Sequence, residues 1–305
     1  MPMPPEIAVL IPTFRRPPGL VAALRSLQEQ DIGESFLIVI ADNDYPALTG
    51  LRVAEQWGRE NDLIDRMLLV GAPEPGASQC RNAGISYVLE RSPSITSIAM
   101  IDDDETADSS WLRKLLDVRQ RFAADLVGGP VIFSLPPETP SAIRHANPFR
   151  TLSRPTGPLD YLNGTGNLLI TTELLRKFST PFDPHFGLSG GEDADFFERC
   201  RRMGSRSVWA SEAIVHETVP PSRLSKEWVC KRMYGNGHIS ARVALKYQPH
   251  VVAVVEQLYL IARGFASSAV RYAVLHDPAS RFDAALRLQM ARGRLGGLRG
   301  KAIEL

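Results

Sequence analysis

Three consecutive carboxylates, Asp102, Asp103 and Asp104, directly follow the apolar run SIAMI. That run is typical of a buried strand, and three acids in a row at its end repel one another unless a cation or ribose hydroxyls relieve the charge. The pattern therefore favours a divalent-cation site. The alternative is that Asp104 or Asp108 caps a helix predicted to begin near Ser109, while the other carboxylates are solvated.

A second acidic cluster lies in the segment GGEDADFFERC, where the turn at Gly190 and Gly191 leads into a predicted helix. Glu192, Asp193 and Asp195 enter that helix at its N-terminus. Asp193 suits a general base that takes the proton from an acceptor hydroxyl, and Glu192 is placed to orient the acceptor. The alternative is that these acids only complement the helix dipole.

The elements that must position these acids form an alternating pattern. Short apolar runs bounded by turn residues alternate with amphipathic segments, which is typical of βαβ units and predicts an α/β fold with a parallel sheet. The predicted strands are residues 7–11, 36–41, 67–70 and 97–101, and the predicted helices are 19–30, 78–90 and 109–122. Ligands bind at the carboxyl ends of such strands, where Thr13, Asp42, Asp44 and Asp102 are found.

The second half of the chain is less regular. A fifth apolar run at 126–133 precedes a proline-rich segment at 135–158, predicted to be too polar for the core and suited to a lid or an acceptor-binding loop. A strand at 166–170 and helices at 171–178 and 194–203 follow. We expect a catalytic domain over 1–220 and a helical C-terminal region over 221–305.

Five ordered motifs, PTFRR, ADND, GASQCRNAG, IDDDE and GGEDADFFER, resemble family 2 of the inverting glycosyltransferases, which have the GT-A fold. The resemblance runs from about Ile7 to His216. It implies a Rossmann-like, mostly parallel sheet flanked by helices, as in enzymes of bacterial exopolysaccharide and surface-glycan assembly. The implied reaction moves a sugar from a nucleotide sugar, with UDP expected, to a hydroxyl of a glycan or polyprenyl-linked glycan.

The resemblance also assigns site residues. It implies a nucleotide site in which Asp42 meets the base and Arg81 lies near the base or phosphates; its members are Pro12, Thr13, Arg15, Asp42, Arg81, Asp102 and Asp103. It implies Mg²⁺ or Mn²⁺ as cofactor, held by Asp104 and His216. Asp193 is then the catalytic base, with Glu192 beside it.

Two other functions are compatible with an α/β domain rich in carboxylates. A nucleotidylyltransferase typically opens with a glycine-rich loop containing Arg and Lys, whereas the first strand here ends in PTFRR. A non-catalytic nucleotide-sugar-binding module needs no base, yet both acidic clusters are present. A sugar transferase is the better prediction.

Composition narrows the partners and the location. A net charge of +1 gives no reason to expect nucleic acid, and Cys80, Cys200 and Cys230 show neither disulfide nor zinc spacing. The opening MPMPPE is not a secretory signal, so we expect a cytoplasmic enzyme.

The C-terminal region has an apolar stretch at 251–275, and a basic tail follows it. Glu256, Arg263 and Arg271 make a membrane span costly. Two interpretations stay open: packing or homodimer contact, and peripheral contact with the inner face of the plasma membrane.

Overall fold

A large mixed sheet is built from strands that lie between Ile7 and Trp209. The structure, a computed structural model, describes residues 5–33, 35–186, 190–274 and 277–300. Within these ranges the strands are β1 Ile7–Thr13, β2 Phe36–Asp42, β3 Met67–Gly71, β4 Ser97–Met100, β5 Glu105–Ala107, β6 Leu126–Gly128, β7 Val131–Ser134, β8 Gly157–Leu159, β9 Leu168–Thr171, β10 Ser207–Trp209 and β11 Val215–Thr218.

Eight of these strands form the main sheet in the order β3-β2-β1-β4-β9-β6-β10-β8. The pairs among β1 to β4 and the pair of β6 with β10 are parallel, whereas β9 runs antiparallel to both of its neighbours and β8 runs antiparallel to β10. The mostly parallel α/β sheet predicted from the sequence is confirmed.

Ten α-helices lie within the described residues. In chain order the helices are α1 Pro17–Gln28, α2 Thr49–Glu60, α3 Ala77–Arg91, α4 Trp111–Phe122, α5 Ser141–Ala146, α6 Thr172–Leu175, α7 Glu192–Arg202, α8 Lys226–Tyr247, α9 His250–Val274 and α10 Pro278–Leu298. Successive side chains of β1 point to opposite faces, so Val9 packs in one apolar cluster and Leu10 in the other. Burial on both faces explains why β1 is apolar throughout and does not alternate.

The apolar run at 126–133, predicted as one strand, is two strands in different sheets. It divides at Gly129 and Pro130, after which β7 joins β5 and β11 in a three-stranded sheet. A side chain at Gly129 would collide with the backbone of Ala213, and the ring of Pro130 removes a ladder N–H group. The Asn167 side chain donates to the carbonyls of both Pro130 and Ala213, which fixes this break.

The proline-rich segment at 135–158 was predicted to stay outside the core, and that prediction is wrong. It contains α5, in which Ile143 is fully buried with Phe282 and Leu286 of α10. Six residues are too few to show helical periodicity in the sequence, so this burial was not visible there.

Two other boundaries differ from the sequence prediction. Helix α6 has only four residues, with the Thr171 hydroxyl accepting from the Leu174 N–H group at its start. Helix α7 begins at Glu192, which puts Glu192 and Asp193 in its first turn.

The chain forms two compact units. The first comprises the chain as far as Ile132, the segment that starts at Thr151, and Asp195–Glu217; it contains the main sheet. The second comprises Phe133–Arg150, the chain just before Asp195, and the chain from Thr218 onward, with α8, α9 and α10.

Two further features bear on the expectations from composition. Cys80 and Cys200 are buried free thiols, and burial raises the pKa of each to about 12. Within the described ranges α9 is the one helix long and apolar enough to cross a membrane, with a mean hydropathy of 1.2, a criterion that core helices of soluble proteins also meet.

Candidate functional site

Residues at the end of β1 form hydrogen bonds with Asp103, the middle carboxylate of the acidic cluster. Thr13 Oγ1 donates to Asp103 Oδ2 at 2.8 Å, and the Phe14 N–H group donates to the same oxygen at 3.2 Å. Arg16 bonds both to Asp103 Oδ1 at 3.0 Å and to Asp104 Oδ2 at 2.7 Å. Burial raises the pKa of Asp103, against the opposing effects of the Thr13 hydroxyl and Arg16. Asp103 therefore ties β1 to the turn after β4.

Three predicted nucleotide-binding residues, Pro12, Thr13 and Asp42, lie at the ends of β1 and β2. Half-buried Pro12 pairs with Ala41, and Thr13 pairs with Asp42, across the β1–β2 ladder. Asp42 is fully buried, and its two carboxylate oxygens accept the N–H groups of Asp44 and Leu51. In this structure Asp42 thus fixes the turn that starts α2.

Asp44 is also buried and lies beside that turn. Arg15 donates from Nε to Asp44 Oδ1 at 2.7 Å, and Thr49 donates to the other oxygen at 2.8 Å. The Arg15 bond, followed by that of Thr49, lowers the pKa of Asp44. Arg15 has a φ of 55°. Its side chain is 70% exposed, so its positive charge faces solvent at this edge of the sheet.

Arg81 reaches the cluster from α3. It is largely buried, and its guanidinium donates to Asp102 Oδ1 at 3.2 Å and lies 5.8 Å from the centre of the Phe182 ring. The side chain of Asn82, one residue further on, forms hydrogen bonds with both the N–H and the C=O of Phe182. These two bonds attach α3 to the backbone of Phe182 and so hold Arg81 in place.

Glu105 closes the turn that carries the three aspartates. Its Oε2 accepts the Asp102 N–H group at 2.9 Å, and it is only 4% exposed. Burial, followed by the charge of Asp102, raises the pKa of Glu105 well above its usual range. Glu217 stands directly opposite on β11 and adds to the effect. A side chain at Gly166 would collide with the carboxylate of Glu105, which would have to move from its buried position.

His216, predicted as a metal ligand, lies on β11 in register with Thr106 of β5. Its Nε2 is 2.8 Å from Asp108 Oδ1, and both side chains are 43% exposed. The Asp108 carboxylate therefore pairs with His216, and Ser110, the residue before α4, forms no side-chain cap. The alternative in which Asp104 or Asp108 caps this helix is wrong.

A divalent cation suits the oxygen donors of this edge. Among the residues that the structure describes, no three His, Cys, Asp or Glu side chains are grouped as a ready-made metal cage. Mg²⁺ and similar hard cations are commonly held by one or two carboxylates together with substrate phosphates. The Asp104 side chain is 22% exposed and that of His216 is 43% exposed, so both predicted ligands are accessible for that arrangement.

The acids of the second cluster, Glu192, Asp193 and Asp195, differ in burial and in their partners. Asp195 is fully buried and pairs with Arg199 at 2.9 Å, and Arg199 also donates to the carbonyls of Thr180 and Pro181. Asp193 is half-buried, and its Oδ1 accepts from the Ala194 N–H group. Asp195 is thus structural, whereas Asp193 and half-buried Glu192 are the acids of this cluster that keep access to solvent.

Sequence reasoning missed residues that complete this edge. Arg16 and Glu105 were part of the motifs PTFRR and IDDDE, but neither was singled out. Asn43 in ADND was also passed over; it bonds to Ala72, Glu74 and Gly76 and so anchors the loop before α3. Their motif positions were the only available signal.

The fold is that of a glycosyltransferase of the GT-A type. The model of the family described as "Glycosyltransferase like family 2" matches residues 4–233. The chain belongs to glycosyltransferase family 2, which decides against the nucleotidylyltransferase alternative.

Two relatives are similar to this chain over most of its length. The chain is 32% identical to the succinoglycan biosynthesis protein ExoM of Rhizobium meliloti (strain 1021), over 98% of this chain and 95% of the relative. It is 24% identical to the glycosyltransferase AglE of Haloferax volcanii, over 73% and 70% of the two chains.

Among solved structures, the mannosyltransferase PcManGT of Pyrobaculum calidifontis, in complex with GDP-Man and Mn²⁺, matches with a TM-score of 0.64 and 16% identity, over 98% of this chain and 88% of the other. TarS 1-349 of S. aureus, in complex with UDP, matches with a TM-score of 0.52 and 16% identity, over 97% and 92%. These likenesses confirm the GT-A fold.

Proposed function

We propose that this glycosyltransferase moves a sugar from a UDP sugar to an acceptor hydroxyl in one inverting displacement, carried out by the domain over 1–220. The observation that carries the proposal is the turn Asp102–Asp104, whose three carboxylates are held at the carboxyl end of β4 by Thr13, Arg16 and Arg81. Such a turn presents oxygen ligands and cations together, as a nucleotide diphosphate requires.

The donor is assigned to the edge formed by the ends of β1, β2 and β4. In this assignment Pro12, Thr13 and Arg15 line the nucleotide pocket, and Asp42 and its neighbour Asp44 mark the side of the base. Arg81 offers its cation to the base or phosphates, and Asp102 is assigned to ribose or sugar. Buried Asp103 contributes to the nucleotide site by fixing the turn that carries Asp102. Positive charge at a partly buried edge stabilises negative charge that develops on the leaving diphosphate.

Asp104 and His216 would hold Mg²⁺ or Mn²⁺. The cation, when bound, acts as a Lewis acid for the departing nucleoside diphosphate. Its two proposed protein ligands already have partners, Arg16 for Asp104 and Asp108 for His216. Those partners keep both side chains oriented when the donor is absent.

Asp193 is the proposed base. Its carboxylate takes the proton of the acceptor hydroxyl as that oxygen attacks the anomeric carbon on the face opposite the leaving group, so the configuration inverts. Glu192 is assigned to orient the acceptor. The bonds from Arg199 to the carbonyls of Thr180 and Pro181 support this role, because they anchor the helix on which Asp193 lies.

The proposed acceptor is a hydroxyl of a glycan or polyprenyl-linked glycan, and the proposed place of work is the cytoplasm at the inner face of the plasma membrane. Support comes from the relative named for succinoglycan biosynthesis, with which this chain shares nearly its whole length. A growing surface polysaccharide would supply such a hydroxyl.

The test is a screen of nucleotide sugars for Mn²⁺-dependent binding by calorimetry, followed by transfer assays with the best donor. Asp193→Asn should lower the transfer rate by about 10² to 10⁴ and leave donor binding intact. Asp104→Asn should weaken Mn²⁺-dependent donor binding as well. Glu212→Gln, at an exposed carboxylate, is the matched control.

Full turnover by Asp193→Asn would remove the base assignment. Proton NMR of the product reports the anomeric configuration, and retention would remove the single displacement. Absence of binding to every nucleotide sugar would remove the donor assignment itself.

A further inference from the structure

Helix α9 presents an apolar outer face to solvent. Of the fourteen large apolar side chains that are exposed in the described chain, nine lie on this helix. Val251, Val255 and Tyr259 stand one turn apart and are 73%, 61% and 63% exposed. At 1.5 Å per residue this helix is about 37 Å long, so its outer face is a long apolar strip. An exposed strip of this kind marks a site of contact.

The inner face of α9 is already covered by α10. Gly264 lies against Ala291, the Ser268 hydroxyl donates to the Ala284 carbonyl at 2.8 Å, and Gln257 accepts from Arg294 at 2.8 Å. These contacts run antiparallel along the helix pair and fix which side of α9 faces outward. The outer strip is therefore the side that α10 leaves uncovered.

Charge is strongly segregated toward this part of the chain. Residues 218–300 contain thirteen Lys and Arg but four Asp and Glu, whereas the whole chain has a net charge of +1. Arg263 on α9, and Arg281 and Arg287 on α10, are exposed. An apolar strip within a basic region matches an anionic lipid surface, which offers acyl chains beneath a layer of negative headgroups.

We propose that the outer face of α9 docks in the plane of an anionic lipid bilayer, with the surrounding Lys and Arg side chains at the headgroups. The helix lies on the membrane and does not cross it. A crossing would bury Glu256 and Arg263 in hydrocarbon together with the Arg294–Gln257 pair, which is costly. This docking goes beyond the proposed sugar transfer and needs neither donor nor acceptor.

The test is flotation of the full chain with vesicles, in the absence of any nucleotide sugar. Vesicles of phosphatidylcholine alone are compared with vesicles that also contain phosphatidylglycerol. The triple variant Val251→Asp, Val255→Asp and Tyr259→Asp changes exposed positions only and should lower the partition coefficient by about a hundredfold or more. Met203→Asp, at an exposed apolar residue of the first unit, is the control.

The expected result is flotation of wild type and Met203→Asp with the anionic vesicles, a strong decrease in high salt, and loss in the triple variant. Circular dichroism must show an unchanged helix content for that variant. Wild-type protein that stays unbound, or a triple variant that floats like wild type, overturns the proposal. Light scattering tests whether a second copy of the chain covers the strip instead. If the wild type is a dimer that does not bind lipid, and the triple variant is a monomer, the strip is a dimer contact. That result also overturns the proposal.

Discussion

Replacing Thr13 by Val should lower the free energy of unfolding by an amount that depends on pH. The Thr13 hydroxyl donates to Asp103 at 2.8 Å, and Asp103 is only 4% exposed. A hydrogen bond to a charged acceptor contributes about 1.5–3 kcal/mol, so the expected loss at neutral pH is about 2 kcal/mol. Val has nearly the same shape but offers no donor, which leaves that carboxylate oxygen with the Phe14 N–H group alone.

The sign of the pH dependence follows from the pKa of Asp103. Burial raises this pKa in the folded chain, so the stability due to this carboxyl falls as the pH rises through its folded-state pKa. The Thr13 bond stabilises the ionised form and limits that fall. The cost of Thr13→Val should therefore be largest at neutral pH and shrink toward about 1 kcal/mol once Asp103 is protonated.

Urea unfolding, followed by tryptophan fluorescence at neutral and at mildly acidic pH, measures this effect as a shift of the midpoint of roughly 1 M at neutral pH. Thr13→Ser is the control, because it keeps the donor and loses only a methyl group that packs near Gly50. Its cost should not vary with pH. A Thr13→Val cost that is the same at both pH values would refute the reasoning.

The remaining predictions concern the neighbours of the same turn. Glu105→Gln should match or exceed the wild-type stability at neutral and alkaline pH. The reason is that the pKa of Glu105 is raised in the folded chain, so its ionisation destabilises the fold as the pH rises. A loss of stability of equal size at every pH would contradict this. Gly166→Ala should cost about 1–3 kcal/mol in urea unfolding and weaken donor binding, since its side chain collides with Glu105, whereas Gly157→Ala, with open space around it, should be neutral. His216→Ala should weaken Mn²⁺-dependent donor binding by about tenfold or more in calorimetry, and Asp108→Asn, which removes the charge that orients His216, should weaken it by a smaller factor; donor binding that is unchanged in His216→Ala would remove the ligand assignment.

The parallel half of the main sheet was readable from the sequence because its strands are buried on both faces and are therefore continuously apolar. The split at Gly129 and Pro130 was not readable, since it depends on contacts with Asn167 far along the chain. Burial of α5 was hidden for the same reason: its partner Phe282 is remote in sequence.

The candidate site shows the same division between local and remote information. Motif order located the three aspartates, but their partners depend on backbone geometry. At Arg15 a positive φ turns the chain, so Arg15 meets Asp44, while the next residue, Arg16, meets Asp103. Likewise, nothing near Glu105 in the sequence predicts that Glu217 stands opposite it.

The reversed direction of β9 has a consequence for how this enzyme class can vary. Its register pairs Met100 with Leu168, so β9 begins beside the end of β4, where the aspartates lie. The chain therefore arrives at the edge that carries the aspartates through the stretch that ends at Gly166. Residues 160–165 lie outside every strand, so this approach to the aspartates could change in length without shifting the register of β9.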